Sequence, residues 1–324
     1  MLHTRACEIL GIEHPIAQAG MARAYTNAAL VAAVSAAGGL GVLGCLNRPP
    51  DEAVAEIHQI LALTERPFGV NFVLHRLRED TFAACLAEHV PVFTFYSGDE
   101  ADLRAAVARA HASGAVVIHQ VTTAAQAEWA GAAGVEVLVA QGCEAGGHMG
   151  PVPLFSLLPA VVAVAGERPV LAAGGIVDGA GLAAALCLGA SGAWMGTRFL
   201  ATHESPTSAA HKRAILAAGP DATVASRVID LIADVAWPAG IQVRAIRNAL
   251  IERWLGHEDA IAGSRARIQA GIKRAREEGD TAEMDLLVGM GAGRIDALEP
   301  AGELVRRIAA DAADILRAWG TRVS

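Results

Sequence analysis

The chain has 324 residues, of which 53% are hydrophobic and only 4% aromatic, and carries a formal net charge of −8. That is ample apolar material for one large core, while the acidic balance and the scarcity of stacking rings exclude a nucleic-acid surface. Five scattered cysteines (Cys7, Cys45, Cys85, Cys143 and Cys187) show no CxxC spacing, which argues against a disulfide framework or a zinc site and fits a reducing cytoplasm.

Met1 to Glu13 mixes charges with apolar residues and offers no signal-peptide core. Gly, Pro or charge cuts every apolar run short of bilayer-spanning length, so no membrane partner is expected. Strands are predicted at Pro15–Ala19, Gly39–Leu43, Gly69–Leu74, Val90–Phe95, Ala115–Gln120, Val135–Ala140, Pro169–Ala173 and Gly192–Met195. Alanine-rich segments of helical period lie between them, among them Asn27–Ala37, Asp51–Leu63, Asp99–Ser113, Thr123–Gly134 and Gly179–Gly189. Thr26 or Asn27, Asp51, Asp99 and Thr123 are suited to cap these helices. Strands that are apolar almost throughout and alternate with helices form parallel sheets, and eight at a regular pitch point to an α/β fold of the closed (β/α)8, or TIM-barrel, type. Ser205 to Gly279 is helical in pattern, broken at Trp237-Pro238-Ala239-Gly240, and Pro300–Trp319 reads as a last amphipathic helix. The expected organisation is a barrel of residues 1–212 and 282–324 with a small inserted α-helical subdomain at 213–281.

Barrel chemistry sits at the C-terminal ends of the strands, with phosphate often bound after strands seven and eight. Here those strands end Ala172-Ala173-Gly174-Gly175-Ile176 and Trp194-Met195-Gly196-Thr197-Arg198. Backbone N–H groups in such turns, helped by the Thr197 hydroxyl, make an anion cradle and point to a phosphate-bearing cofactor. Strand six runs into Gln141-Gly142-Cys143-Glu144-Ala145-Gly146-Gly147-His148, a glycine loop that lets backbone approach a ligand and sets a group titrating near neutrality beside it. Asn71 and Gln141 can both donate and accept, which suits the edge of a flavin ring or a base. His119 lies inside its strand and reads as structural. Gly39-Leu40-Gly41-Val42-Leu43-Gly44 matches GxGxxG, but its glycines start a strand instead of following one, and Asn47-Arg48-Pro49-Pro50 stands where a helix should open. No HxxxH or carboxylate pair suggests a metal.

Pro15-Ile16-Ala17-Gln18-Ala19-Gly20-Met21, Gly69-Val70-Asn71, the Gln141–His148 loop, Ala173-Gly174-Gly175-Ile176 and Met195-Gly196-Thr197-Arg198-Phe199 occur in the order seen in nitronate monooxygenases, formerly 2-nitropropane dioxygenases, and the chain resembles that family from about Pro15 to Lys212. The resemblance implies non-covalent FMN contacted by Gly20, Met21, Asn71, Gln141, Gly146, Gly147, Gly174, Gly175, Trp194, Met195, Gly196 and Thr197. His148 matches the catalytic histidine, which binds nitronate oxygens or takes the proton beside the nitro group. The implied reaction oxidises an alkyl nitronate with O2 to a carbonyl compound and nitrite. The implied partners are that small molecule and O2, with a homodimer left open. Enoyl-acyl-carrier-protein reductases and NADH:quinone reductases share the two most specific blocks, so an NAD(P)H-dependent FMN reductase acting on a quinone or enoyl thioester is the alternative. Met149, Trp194, Tyr96-Ser97-Gly98 and Gly289–Gly293 depart from the family pattern and could shape the substrate pocket.

Overall fold

The computed structural model describes residues 2–322. Nine strands are met up to Met195: β1 (Ile16–Gln18), β2 (Gly41–Gly44), β3 (Phe68–Val73), β4 (Val92–Tyr96), β5 (Val116–Val121), β6 (Val137–Gln141), β7 (Gly147–Met149), β8 (Val170–Ala173) and β9 (Gly192–Met195). All but β7 join one parallel sheet in the order β1-β9-β8-β6-β5-β4-β3-β2. The two ends meet: Ala17 bridges Leu40 in parallel, with Gln18 N donating to Leu40 O and Leu40 N to Ile16 O, each at 2.9 Å. The Gln18 side chain extends this seam, its Oε1 accepting from Val42 N at 3.1 Å and its Nε2 donating to Val42 O at 3.0 Å. The Gln18 amide is thus spent on closing the barrel.

Strand residues divide by parity, because successive side chains leave a strand on opposite faces. Val92, Ile118, Val137, Val139, Leu171 and Trp194 fill the barrel with Ala17, Leu40 and Val42. Their neighbours Phe93, Val117, Leu138, Ala140, Val170 and Met195 face the surrounding helices. An N-terminal helix, Arg5–Leu10, plugs the barrel floor with Ala6, Cys7 and Leu10, an element that its short sequence did not announce. Asn27 caps the next helix by accepting from Leu30 N, whereas the Thr26 hydroxyl accepts from Gly44 N. Asp99 and Thr123 cap as expected, while Asp51 lies in the first turn behind Pro49. The glycines of β2 are packing residues: a Cβ on Gly41 would lie 2.2 Å from Val31 O, and one on Gly44 would lie 1.3 Å from Met21 O.

The helix Ala301–Gly320 buries Leu304, Val305, Ile308 and Ala312 against the barrel, as its amphipathic pattern required. The stretch between barrel and final helix holds helices at Ala209–Leu216, Val228–Ala233, Ala249–Trp254 and Ile261–Glu278. It also holds two strands that its helical pattern did not suggest, β10 (Thr223–Ser226) and β11 (Gln242–Ile246). These pair antiparallel with each other, and β11 pairs with β7, so a second sheet in the order β10-β11-β7 sits over the mouth. Among the described residues no helix is long and apolar enough to cross a membrane.

His119 faces the helical layer, 1% exposed, its ring 5.4 Å from that of Trp129. Burial pushes its pKa down to about 3, and burial likewise brings His211 down to about 4. Below the ordinary imidazole value the unfolded chain then binds protons that the folded chain refuses, so stability falls with pH by up to about 1.4 kcal/mol per pH unit for each such ring. The contribution is complete above about pH 6.5 and is lost progressively towards the depressed folded values. Denaturant midpoints measured between pH 7 and 4 should show this slope, and His119→Gln should flatten it.

Candidate functional site

Every residue assigned above to the cofactor or to catalysis lines one cleft at the C-terminal mouth of the barrel. Parity explains the side chains: Asn71, Tyr96, Gln120, Gln141 and Trp194 occupy inward positions at or near strand ends. Met195 lines the cleft as well, although by the same parity its side chain packs outward in the helical core. Asn71 donates from Nδ2 to Thr94 Oγ1 at 2.8 Å, which orients its amide. Gly20 must be glycine, because a Cβ there would fall 2.1 Å from that of Asn71.

After β6 the chain runs through the glycine loop into β7. Glu144 accepts from Leu154 N at 2.9 Å with its carboxylate, and Glu144 O accepts from Met290 N at 2.9 Å. Gly146 packs so closely on the chain at Val288–Gly289 that a Cβ would lie 2.4 Å from Gly289 N. Gly289 N in turn donates to Thr197 Oγ1 at 2.8 Å, so the loops after β6 and β9 are tied through the segment that precedes the final helix. The buried Arg198 extends the tie by donating to Ala297 O at 3.0 Å and pairing with Glu299 at 2.8 Å. Arg244 is buried and donates to Cys143 O at 3.0 Å, and Arg247 pairs with Glu252 at 2.7 Å.

His148 stands on β7 opposite Val243. Its carbonyl accepts from Gln141 Nε2 at 3.0 Å and from the Tyr96 hydroxyl at 3.3 Å. Its ring meets two groups that motif reading missed. Asp230 Oδ1 lies 2.7 Å from His148 Nε2, and Trp237 stacks on the imidazole with centroids 3.5 Å apart and planes 14° from parallel. Burial raises the Tyr96 phenol well above its usual range, so it stays a neutral donor. Burial chiefly, then the charge of Arg76, lowers His75, whose ring meets the edge of Trp237 at 4.5 Å. Asp230 carried no signal in the sequence; Trp237 carried one only as a break in a helical stretch.

The cleft has the donor set for a flavin phosphate cofactor. Gln141 Oε1 is a buried acceptor without a partner among the described residues, as a ring N–H would require. Gly174 (φ +114°) and Gly175 (φ +71°) turn the backbone after β8 through conformations open to glycine, and the Thr197 hydroxyl keeps its hydrogen to donate. No Lys or Arg side chain is among the described residues that line the cleft, so backbone N–H groups and Thr197 would carry a phosphate there.

A closed parallel barrel with glycine turns after its last two strands and polar side chains across its mouth defines a cofactor-dependent enzyme built on the TIM-barrel plan. The chain belongs to the nitronate monooxygenase family, whose family model matches residues 3–95 and 80–311, and it is an oxidoreductase of that flavin-dependent group. A (3aS,4S,5R,7aS)-5-hydroxy-7a-methyl-1-oxo-octahydro-1H-indene-4-carboxyl-CoA dehydrogenase of Mycobacterium tuberculosis is 42% identical over 269 residues, 82% of this chain and 70% of the relative. A nitronate monooxygenase of Paraburkholderia phytofirmans is 35% identical over 253 residues, 64% of this chain and 69% of the relative. Among solved structures, FabK from Thermotoga maritima superposes with a TM-score of 0.88 at 32% identity, covering 99% of this chain and 100% of that one.

Proposed function

We propose that the chain is an FMN-dependent monooxygenase that oxidises alkyl nitronates with O2 to a carbonyl compound and nitrite, in which His148 binds the nitronate oxygens or takes the proton beside a nitro group. The observation that carries this reading is the meeting, in one cleft, of His148 with the unpartnered Gln141 Oε1 and the glycine turn Gly174-Gly175. FMN, when bound, accepts the electrons and passes them to O2. Gly174, Gly175, Gly196 and Thr197 would hold its phosphate, Asn71 and Gln141 the edge of its ring, and Gly20 and Met21 would lie against its face. An imidazole suits both tasks, since it donates to an anion when charged and accepts a proton when neutral. The unpaired cysteines agree with a cytoplasmic setting, and the apolar cluster of Val228, Leu250, Trp254 and Ile268 supports treating 213–281 as a subdomain of its own.

A second reading rests on the 42% identical carboxyl-CoA dehydrogenase: the same cleft would work on a thioester, with nicotinamide or the thioester itself exchanging electrons with the flavin. The anaerobic visible spectrum separates the two. Flavin bands bleached by a nitronate and untouched by NADH or an acyl-CoA are the expected result. Rapid bleaching by NADH or by an acyl-CoA would replace nitronate oxidation with the second reading, and no flavin bands after reconstitution with FMN would overturn both.

A further inference from the structure

We infer that the segment inserted after the barrel strands, and not the barrel, sets the working geometry of His148: Asp230 fixes its tautomer and Trp237 its ring plane, leaving Nδ1 as the nitrogen that works. The inference deepens the proposed function, resting on the reading that His148 handles a proton or an anion.

The barrel anchors only the backbone here. Gln141 and Tyr96 hold the His148 carbonyl, and nothing in those bonds chooses a side-chain rotamer. The preceding Gly147 has φ +70°, and a Cβ there would meet only open space, so the approach to β7 is permissive. The ring is instead gripped by one short stretch after β10. Asp230 sits on the helix Val228–Ala233 and is 5% exposed. Its carboxylate has His148 Nε2 as its side-chain partner, and no Lys or Arg pairs with it among the described residues. A carboxylate is acceptor-only, and leaving it buried without a donor is costly, so Nε2 must carry a hydrogen. The neutral ring therefore keeps its lone pair on Nδ1, and Nδ1 makes no hydrogen bond to the described residues.

The helix then ends at Asp234 in the left-handed conformation (φ +59°), which turns the chain back so that Trp237 comes down on the imidazole face. Trp237 is itself wedged between the rings of His75 and Tyr96, with centroids 4.5 Å and 6.1 Å away. One plane and one hydrogen bond together remove the freedom of both side-chain torsions, which is how supporting residues preorganise a working group. Asp230 and Trp237 are thus positioning residues.

Long-range 1H–15N correlation of the ring in the substrate-free holoprotein, in alkaline buffer where imidazole is neutral, tests the tautomer without any assumed substrate. The expected spectrum has the hydrogen of His148 on Nε2. In Asp230→Asn, whose amide can donate to Nε2, the hydrogen moves to Nδ1, FMN content stays at the wild-type level, and kcat falls about 10- to 100-fold with KM changed less than about threefold. Trp237→Phe keeps a stacking face and most activity, whereas Trp237→Ala lowers kcat about tenfold with the tautomer unchanged. A wild-type ring with its hydrogen on Nδ1 would overturn the inference even if no variant folds. So would an Asp230→Asn protein with wild-type tautomer and kcat. Failure of the wild type to oxidise nitronates, with the Nε2 signature present, would instead count against the proposed reaction alone.

Discussion

Replacing His148 with alanine is expected to yield a protein that still holds its flavin and, on the proposed function, turns over nitronates about 10²- to 10⁴-fold more slowly, the range in which a positioned acid–base group contributes. Flavin retention follows from geometry. The groups proposed to hold FMN lie on β3 and β6 and in the turns after β1, β8 and β9, and what His148 gives to its neighbours it gives mostly through its backbone, by pairing with Val243 and by accepting from Gln141 and Tyr96. An alanine keeps those bonds. What disappears is the ring, and with it the donor to the buried Asp230 and the surface under Trp237. Loss of the donor costs roughly 1–3 kcal/mol of stability, since a buried acceptor is left unsatisfied. Absorbance at the flavin bands per polypeptide and steady-state rates with a nitronate check the two halves separately. Full activity in the variant would remove His148 from the chemistry; loss of flavin would make it a cofactor-positioning residue.

The sequence made much of the mouth visible because strand parity and loop glycines are local properties. Asn71, Gln141 and Trp194 stand at inward positions that follow from counting along an apolar strand, and Gly174 and Gly175 advertise backbone conformations that other residues resist. The same counting, applied more strictly, places the Met195 side chain outside the barrel. What could not be read is long-range. β7 is three residues long, and only its partner β11, nearly a hundred residues later, makes it a strand. β11 in turn lies in a stretch whose composition suggests helix. Asp230 is one acidic residue in a short helix, and nothing near it in sequence says that it will face His148. Tertiary pairing decides such elements, and propensity is only a weak prior for them.

The insertion therefore does two jobs with one sheet. By pairing β11 with β7 it makes the end of the glycine loop the edge of a three-stranded sheet, and by carrying Asp230 and Trp237 it completes the surroundings of the ring. The loop after β6 is held again on its other side, where Gly146 packs on Val288 and Gly289 in the segment before the final helix and Gly289 N donates to Thr197. The groups proposed to hold a cofactor thus stand at barrel strand ends, while the surroundings of the His148 ring are made jointly by the barrel and the segment that follows it. This division fits a chain that is similar both to a nitronate monooxygenase and to a carboxyl-CoA dehydrogenase.

Gly174→Ala is expected to weaken FMN binding about 10- to 100-fold, because the backbone there is held in a conformation that costs a residue with a Cβ about 1–3 kcal/mol. Its φ of +114° lies beyond the left-handed helical region that Asn or Asp can visit. A Cβ would also come within 3.2 Å of both Ala145 N and Gly142 O, backbone atoms that cannot swing away as a side-chain tip could. Relief requires the turn after β8 to shift against the loop after β6, and that turn is the proposed phosphate cradle. Gly175→Ala provides the control within the same turn. Its φ of +71° is within the left-handed region, and its Cβ would meet nothing closer than Glu144 Cβ at 3.5 Å. The cost there is about 1 kcal/mol of conformational strain, so affinity should drop only severalfold. Titrating FMN into each apoprotein and following the quenching of its fluorescence gives the two constants directly. Equal affinities for wild type and Gly174→Ala would mean that the phosphate does not rest on this turn, whatever the flavin ring does above it.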